Sequence, residues 1–371
     1  MTDFNTAQMS QLMGQSNLTV VYLWADGDYW VKQQEFCTAF QSVPLTHNVV
    51  IHVQFEGLSL TRARVVEAVQ KIMQETGRSA DSVFVYSPNA IANDAPWINL
   101  FWRQWKVSDE FVRSKTYQTN DSRDLDTDWR PWALFVGRRT TPRLLALYDI
   151  WQDSLLKEKC LLSKMIDPAP PVLQPFDQSY MYFDHLTEWM PIQNPIEKML
   201  THKHFRNFCE SMPVDSIDGC KITDQYIEIA SGVDRNASLT KNLIDLSGKY
   251  LFEITFETMT RGWTFTPSEK TVRTIMAEKP LVVYAPQHFL QHMQQLGFKT
   301  FGDLWDEDYD KYEGPDRYKH IMSIVKNVAS MPSDQQLELY KTSRQICRFN
   351  KQHLLKLSGH RVNEYKEINH V

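Results

Sequence analysis

The sequence predicts an α/β protein with two doubly wound parallel-sheet units in tandem, and three observations point there. Short β-rich apolar runs alternate with segments of helical apolar spacing. The alternation runs twice, on either side of an apolar-poor acidic stretch, Asp121 to Asp128. A chain of 371 residues suits two domains at roughly 100–200 residues each.

In the first half, Val20-Val21-Tyr22-Leu23-Trp24 reads as a buried strand entering an Asp-Gly-Asp loop. A second strand follows at Val49–Phe55 and ends at Glu56-Gly57. Apolar residues at 65, 66, 69, 72 and 73 then take helical spacing, and Gly77 supplies a C-terminal stop. Val83 to Tyr86 is the next strand. Strand, helix, strand with short connections is a βαβ unit, which requires parallel pairing. Residues 1–128 form the first predicted domain, with 121–128 as its linker.

In the second half, Ala133 to Val136 is a strand and Gly137 to Pro142 a turn. A helix starts at Arg143, with Leu144, Leu145, Leu147, Tyr148 and Trp151 as its apolar set. Pro168 to Pro175 is a rigid loop, and 176–245 has no readable order. Leu251–Phe256 is a strand, Ser268–Glu278 a helix, Leu281–Tyr284 a strand and Phe289–Leu296 a helix. Residues 129–333 form the second predicted domain. The helical tail, 334–371, is rich in Lys, Arg and Gln.

Composition excludes several classes. The net charge of −5 is not the basic footprint of a protein that coats nucleic acid. Five cysteines without Cys-x-x-Cys spacing predict free thiols rather than a zinc site. No run approaches the 18 apolar residues of a membrane helix. The polar N-terminus lacks a secretory core, so a cytoplasmic protein is expected. Neither GxGxxG nor a Walker A motif occurs, which disfavours dinucleotide and P-loop sites.

Ligands of doubly wound sheets sit beyond the carboxyl ends of the strands. Two segments there can carry chemistry. Gly137-Arg138-Arg139-Thr140-Thr141-Pro142-Arg143 places three arginines beside a helix start, which suits a diphosphate or a merely solvated basic loop. Thr266-Pro267-Ser268-Glu269-Lys270-Thr271 opens the next helix: Glu269 suits sugar or ribose hydroxyls, and Lys270 suits a phosphate. Helix capping alone is the competing explanation.

The segment from Phe256-Glu257-Thr258 through Phe265-Thr266-Pro267-Ser268-Glu269-Lys270-Thr271 to Lys279-Pro280-Leu281-Val282-Val283-Tyr284 resembles a pattern of fucosyltransferase-like glycosyltransferases. Leu296-Gly297-Phe298-Lys299-Thr300-Phe301-Gly302-Asp303-Leu304-Trp305-Asp306-Glu307-Asp308-Tyr309-Asp310 looks like a run in their viral and phage relatives. Val50–Asn89 and Gly137–Leu145 are also similar; 251–310 is the distinctive part. Ser268 replaces the usual Thr and keeps the hydroxyl.

The resemblance implies a GT-B architecture, two Rossmann-like domains facing across a cleft, with the C-terminal helix crossing back to the first. The donor would be a nucleotide-diphosphate sugar, expected to be UDP-linked, bound by the second domain without a metal or other cofactor. Lys270 and Arg138 would contact its diphosphate, with Arg139 and Arg143 as weaker candidates. Glu269 and Glu257 would contact ribose or sugar, and Thr266 and Ser268 complete the donor segment. An inverting reaction needs a base near the acceptor hydroxyl. Asp26, Asp28 and Glu56 follow strands of the first domain, the two aspartates ranking ahead.

Asp26-Gly27-Asp28 is also an Asp-x-Asp, a metal signature of the other glycosyltransferase architecture. The pattern recurs at 124–126, 126–128, 306–308 and 308–310, so it discriminates poorly. His202-Lys203-His204 has no partner spacing and reads as surface. Trp24, Trp30 and Trp263 are stacking or core residues. The favoured acceptor is a hydroxylated base in phage DNA, a hydroxylated pyrimidine, with basic residues at 103, 106, 113, 115, 344, 348, 351 and 356 meeting phosphates. A glycan or other small acceptor is the near equal. A non-catalytic nucleotide- or sugar-binding module is the remaining alternative.

Overall fold

The computed structural model describes residues 15–26, 29–53, 64–87, 99–102, 125–136, 141–164, 203–205, 207–208, 244, 246–257, 259–260 and 264–368. They form a mixed α/β protein with two sheets.

The first unit comprises β1 (Leu18–Asp26), β2 (Tyr29–Val31), α1 (Gln33–Ser42), β3 (Asn48–Val53), α2 (Val65–Thr76), β4 (Val83–Ser87) and β5 (Asn99–Trp102). Its sheet order is β2-β1-β3-β4-β5. β1, β3, β4 and β5 pair in parallel, while β2 folds back antiparallel on β1. Val21, Leu23, Val49, Ile51, Val53, Val83 and Val85 share one core with Phe36 and Phe40 of α1 and Val65, Val69 and Ile72 of α2. The period-2 alternation of each strand thus meets the 3.6-residue period of each helix. α2 ends where Gly77 takes φ +74° and donates its N–H to Met73 O.

The second unit runs β6 (Arg130–Val136), α3 (Thr141–Gln152), α4 (Ser154–Lys159), β7 (Cys160–Lys164), β8 (Tyr250–Phe256), α5 (Glu269–Met276), β9 (Leu281–Tyr284), α6 (Phe289–Gln295), α7 (Gly314–Ala329) and α8 (Ser333–Ile368). All its strand pairs are parallel, in the order β7-β6-β8-β9. β8 and β9 are buried at every residue, as a parallel sheet covered on both faces demands.

Several elements were not read from the sequence: β2, α1, β5, α4, β7 and α7. The end of the expected linker also belongs to the second unit. Asp126 N–H donates to Gly248 O at 2.9 Å, and Leu125 and Trp129 pack on the core. The Leu296–Asp310 run is a structural hub. Phe298, Phe301, Trp305 and Tyr309 enter the core. The Asp310 carboxylate accepts the first-turn N–H groups of Leu290 and Gln291 and pairs with the fully buried Arg317 at 3.0 Å. This accounts for the Asp-x-Asp at 308–310, while Asp308 pairs with Lys311.

α8 buries Gln336, Tyr340, Ser343, Cys347, Asn350 and Leu354, a stripe with three- and four-residue steps. It packs on α5 and β8, so this stretch of the tail is an integral layer of the second unit. Its cations Arg344, Arg348 and Lys351 surround Glu278 at 3.4, 4.0 and 2.9 Å. Among the described residues no helix is long and apolar enough to cross a membrane.

Candidate active site

In the second sheet the strand order changes direction between β6 and β8. β6 leads through α3 and α4 to β7 on one side; β8 leads through α5 to β9 on the other. Right-handed crossovers send these connections to opposite faces. The carboxyl ends of β6 and β8 therefore flank a topological switch point, where open α/β sheets bind ligands.

Arg143, Glu257, Thr266, Ser268, Glu269 and Lys270 all belong to the segments that leave these two ends. Glu257 directly follows β8, and its N–H continues the ladder to Tyr284 O at 2.9 Å. Its carboxylate is 1% exposed and accepts the Ser268 N–H at 3.1 and 3.0 Å. The Thr271 hydroxyl donates to the same carboxylate. An anion at this position satisfies donors that a helix start leaves open and lies at the positive end of the helix dipole. Ser268 is the N-cap of α5; its hydroxyl accepts the Lys270 N–H at 3.3 Å.

Glu269 and Lys270 occupy the first turn of α5, and the Lys270 ammonium pairs with the Glu269 carboxylate. Burial raises the Glu269 pKa, but Lys270 first and Arg143 further off outweigh it and hold the carboxyl below the usual range. The hydrogen bonds of Arg143 to the end of β8 place the two connections close together. Thr266 is half-buried on the same approach. Arg143 is almost fully buried, and its Nη2 donates to Phe256 O at 3.1 Å and Glu257 O at 2.8 Å.

Asp26 ends β1, its backbone paired with Tyr29. Asp28, Glu56, Arg138 and Arg139 lie outside the described residues, as do Trp263 and the basic positions 103, 106, 113 and 115. Of the basic set offered for DNA, Arg344 and Lys351 are instead half-buried against Glu278. His204 is exposed, as expected of a surface histidine. Among the described residues no group of three or more His, Cys, Asp or Glu side chains converges as a metal site would require.

The sequence reading missed a further buried ionic cluster in this unit. Glu253, in the middle of β8, pairs with Arg273 of α5 and accepts the Tyr250 hydroxyl at 3.1 Å. A hydrophobic strand interrupted by one Glu, with an Arg shortly after the Glu-Lys pair, was the available signal.

No protein-family model, curated protein or solved structure matches this chain.

Proposed function

We propose that the protein is a glycosyltransferase of GT-B architecture that moves a sugar from a nucleotide-diphosphate sugar, UDP-linked in the first instance, to a hydroxyl acceptor. One observation supports this above the rest: the Glu269–Lys270 pair stands at a helix start, at the switch point of a wholly parallel sheet. Lys270 would stabilise the charge that develops on the departing diphosphate. Glu269, charged over the working pH range, would accept hydrogen bonds from sugar or ribose hydroxyls. Arg138 and Arg139 are the further phosphate candidates. The internal capping by Glu257 and Ser268 uses the amides of Ser268 and Lys270, so Lys270's ammonium matters more than bare helix amides.

Asp26, Asp28 and Glu56 remain the proposed bases on the acceptor side. The acceptor we favour is a hydroxylated pyrimidine in DNA, with a glycan as the other arm of the test. The engagement of Arg344 and Lys351 with Glu278 removes part of the basic surface expected for DNA.

Mass spectrometry tests the activity after the protein is incubated with a panel of nucleotide sugars and both acceptor types. Sugar addition to one acceptor is expected, with Lys270→Ala abolishing turnover while the fold persists. Full activity of Lys270→Ala would overturn the role given to this pair. Absence of transfer and of donor hydrolysis would overturn the enzyme reading.

A further inference from the structure

We infer that Arg143 and Glu257 are positioning residues, a two-part brace that sets the donor segment in place from inside the fold. This deepens the donor-site reading and rests on it. A cation in the first turn of a helix is disfavoured by the helix dipole, yet Arg143 sits in the first turn of α3. Its compensation comes from elsewhere in the sheet. Nη2 donates to the carbonyls of Phe256 and Glu257, where β8 ends. The side chain of Glu257 then reaches forward to the Ser268 N–H and the Thr271 hydroxyl. One continuous hydrogen-bonded path therefore runs from α3, across the end of β8, to the first turn of α5.

That path bridges the switch point, whose two sides diverge to opposite faces. Both members are nearly inaccessible to solvent, at 3% for Arg143 and 1% for Glu257. A group that touched ligand phosphate or ribose would present its polar atoms to the crevice. Nη2 of Arg143 and the carboxylate of Glu257 turn instead to main chain and to Thr271. The brace fixes the rotation and depth of α5, and with it the placement of Glu269 and Lys270. A Glu at 257 does this better than a neutral residue, because its charge complements the start of α5.

Amide hydrogen exchange on the ligand-free protein separates a brace from a ligand contact. Arg143→Lys and Glu257→Gln should each speed exchange across 264–276 about tenfold, the scale of one lost charge-assisted bond. Exchange in α7 (314–329) should stay as in the unsubstituted chain, which shows that the unit is folded. The second readout is binding of uridine diphosphate against NaCl concentration. Arg143→Met should weaken binding yet keep the salt dependence of the unsubstituted protein, whereas Lys270→Ala should flatten it. Unchanged exchange across 264–276 in Arg143→Lys would overturn the brace. So would an Arg143→Met salt dependence as flat as that of Lys270→Ala. Failure of the unsubstituted protein to bind uridine diphosphate would overturn the donor-site reading instead, and the exchange result would still judge the brace.

Discussion

Replacement of Lys279 by Met should change how stability varies with pH. Lys279 lies between β8 and α8, 2% exposed. Its ammonium donates to Tyr250 O at 2.6 Å and to the Tyr340 hydroxyl at 3.1 Å, with both rings within 5.0 Å of the nitrogen. Neither partner is charged. Burial first, and the Arg344 guanidinium second, bring its pKa from 10.5 to about 7, with Cys347, Glu253 and Glu278 opposing. Arg348 and Lys351 face the same patch through Glu278.

The sign follows from proton binding. Between pH 7 and 10.5 the unfolded chain holds a proton on this lysine that the folded chain has released. Stability therefore rises with pH across that window, and below it the full cost of a buried charge is felt. At 1.36 kcal/mol per pH unit, the cost is on the order of 5 kcal/mol. Burial holds Tyr250, Tyr340 and Cys347 above their ordinary values, the thiol at about 12, so they stay neutral across most of this range.

The assay is urea unfolding followed by tryptophan fluorescence, which Trp132 and Trp305 of this core report. The protein and Lys279→Met would be compared at pH 6.5, 8 and 9.5 (chosen conditions, about 1.5 units apart). The difference between them should shift with pH by several kcal/mol in favour of the natural residue as pH rises. At low pH, Lys279→Met should be the more stable of the two. Parallel curves would refute the reasoning, because they would mean that Lys279 titrates alike in both states.

Two other changes probe the second unit. Arg317→Met should cost about 3–5 kcal/mol, because the guanidinium serves Asp310 and the carbonyls of Val283, Pro286, Asp310 and Tyr312, and its loss leaves Asp310 without its cation; thermal unfolding measures it. Gly297→Ala should cost about 1–3 kcal/mol, since Gly297 has φ +92° and a Cβ would meet His353 Nε2 at 2.8 Å, disturbing its bond to Leu296 O. Proteolysis of α8 in the folded protein should quicken in that variant.

How much could be read in the sequence depended on whether a residue's partner was local. Val49 to Ile51 and Leu281 to Tyr284 are short continuous apolar runs, and Gly77 stops a helix by its own backbone freedom, so these needed no tertiary knowledge. α7 escaped because its most buried side chains include Arg317, which breaks the apolar pattern of Tyr318, Ile321, Met322 and Val325. β7 did not stand out because Ser163 and Lys164 cut its apolar run to Cys160-Leu161-Leu162, with Lys157, Glu158 and Lys159 directly before it. At the site, Ser268-Glu269-Lys270 was legible as a helix start. The internal engagements of Arg143 and Glu257 were not, because their partners lie on other elements and only the folded sheet brings them together.

The most direct test of the donor site is a structure of the protein with uridine diphosphate. The diphosphate should lie at the carboxyl ends of β6 and β8, within hydrogen-bonding reach of the Lys270 ammonium, with Arg143 still on the β8 carbonyls. A nucleotide bound away from that end of the second sheet would contradict the donor-site assignment.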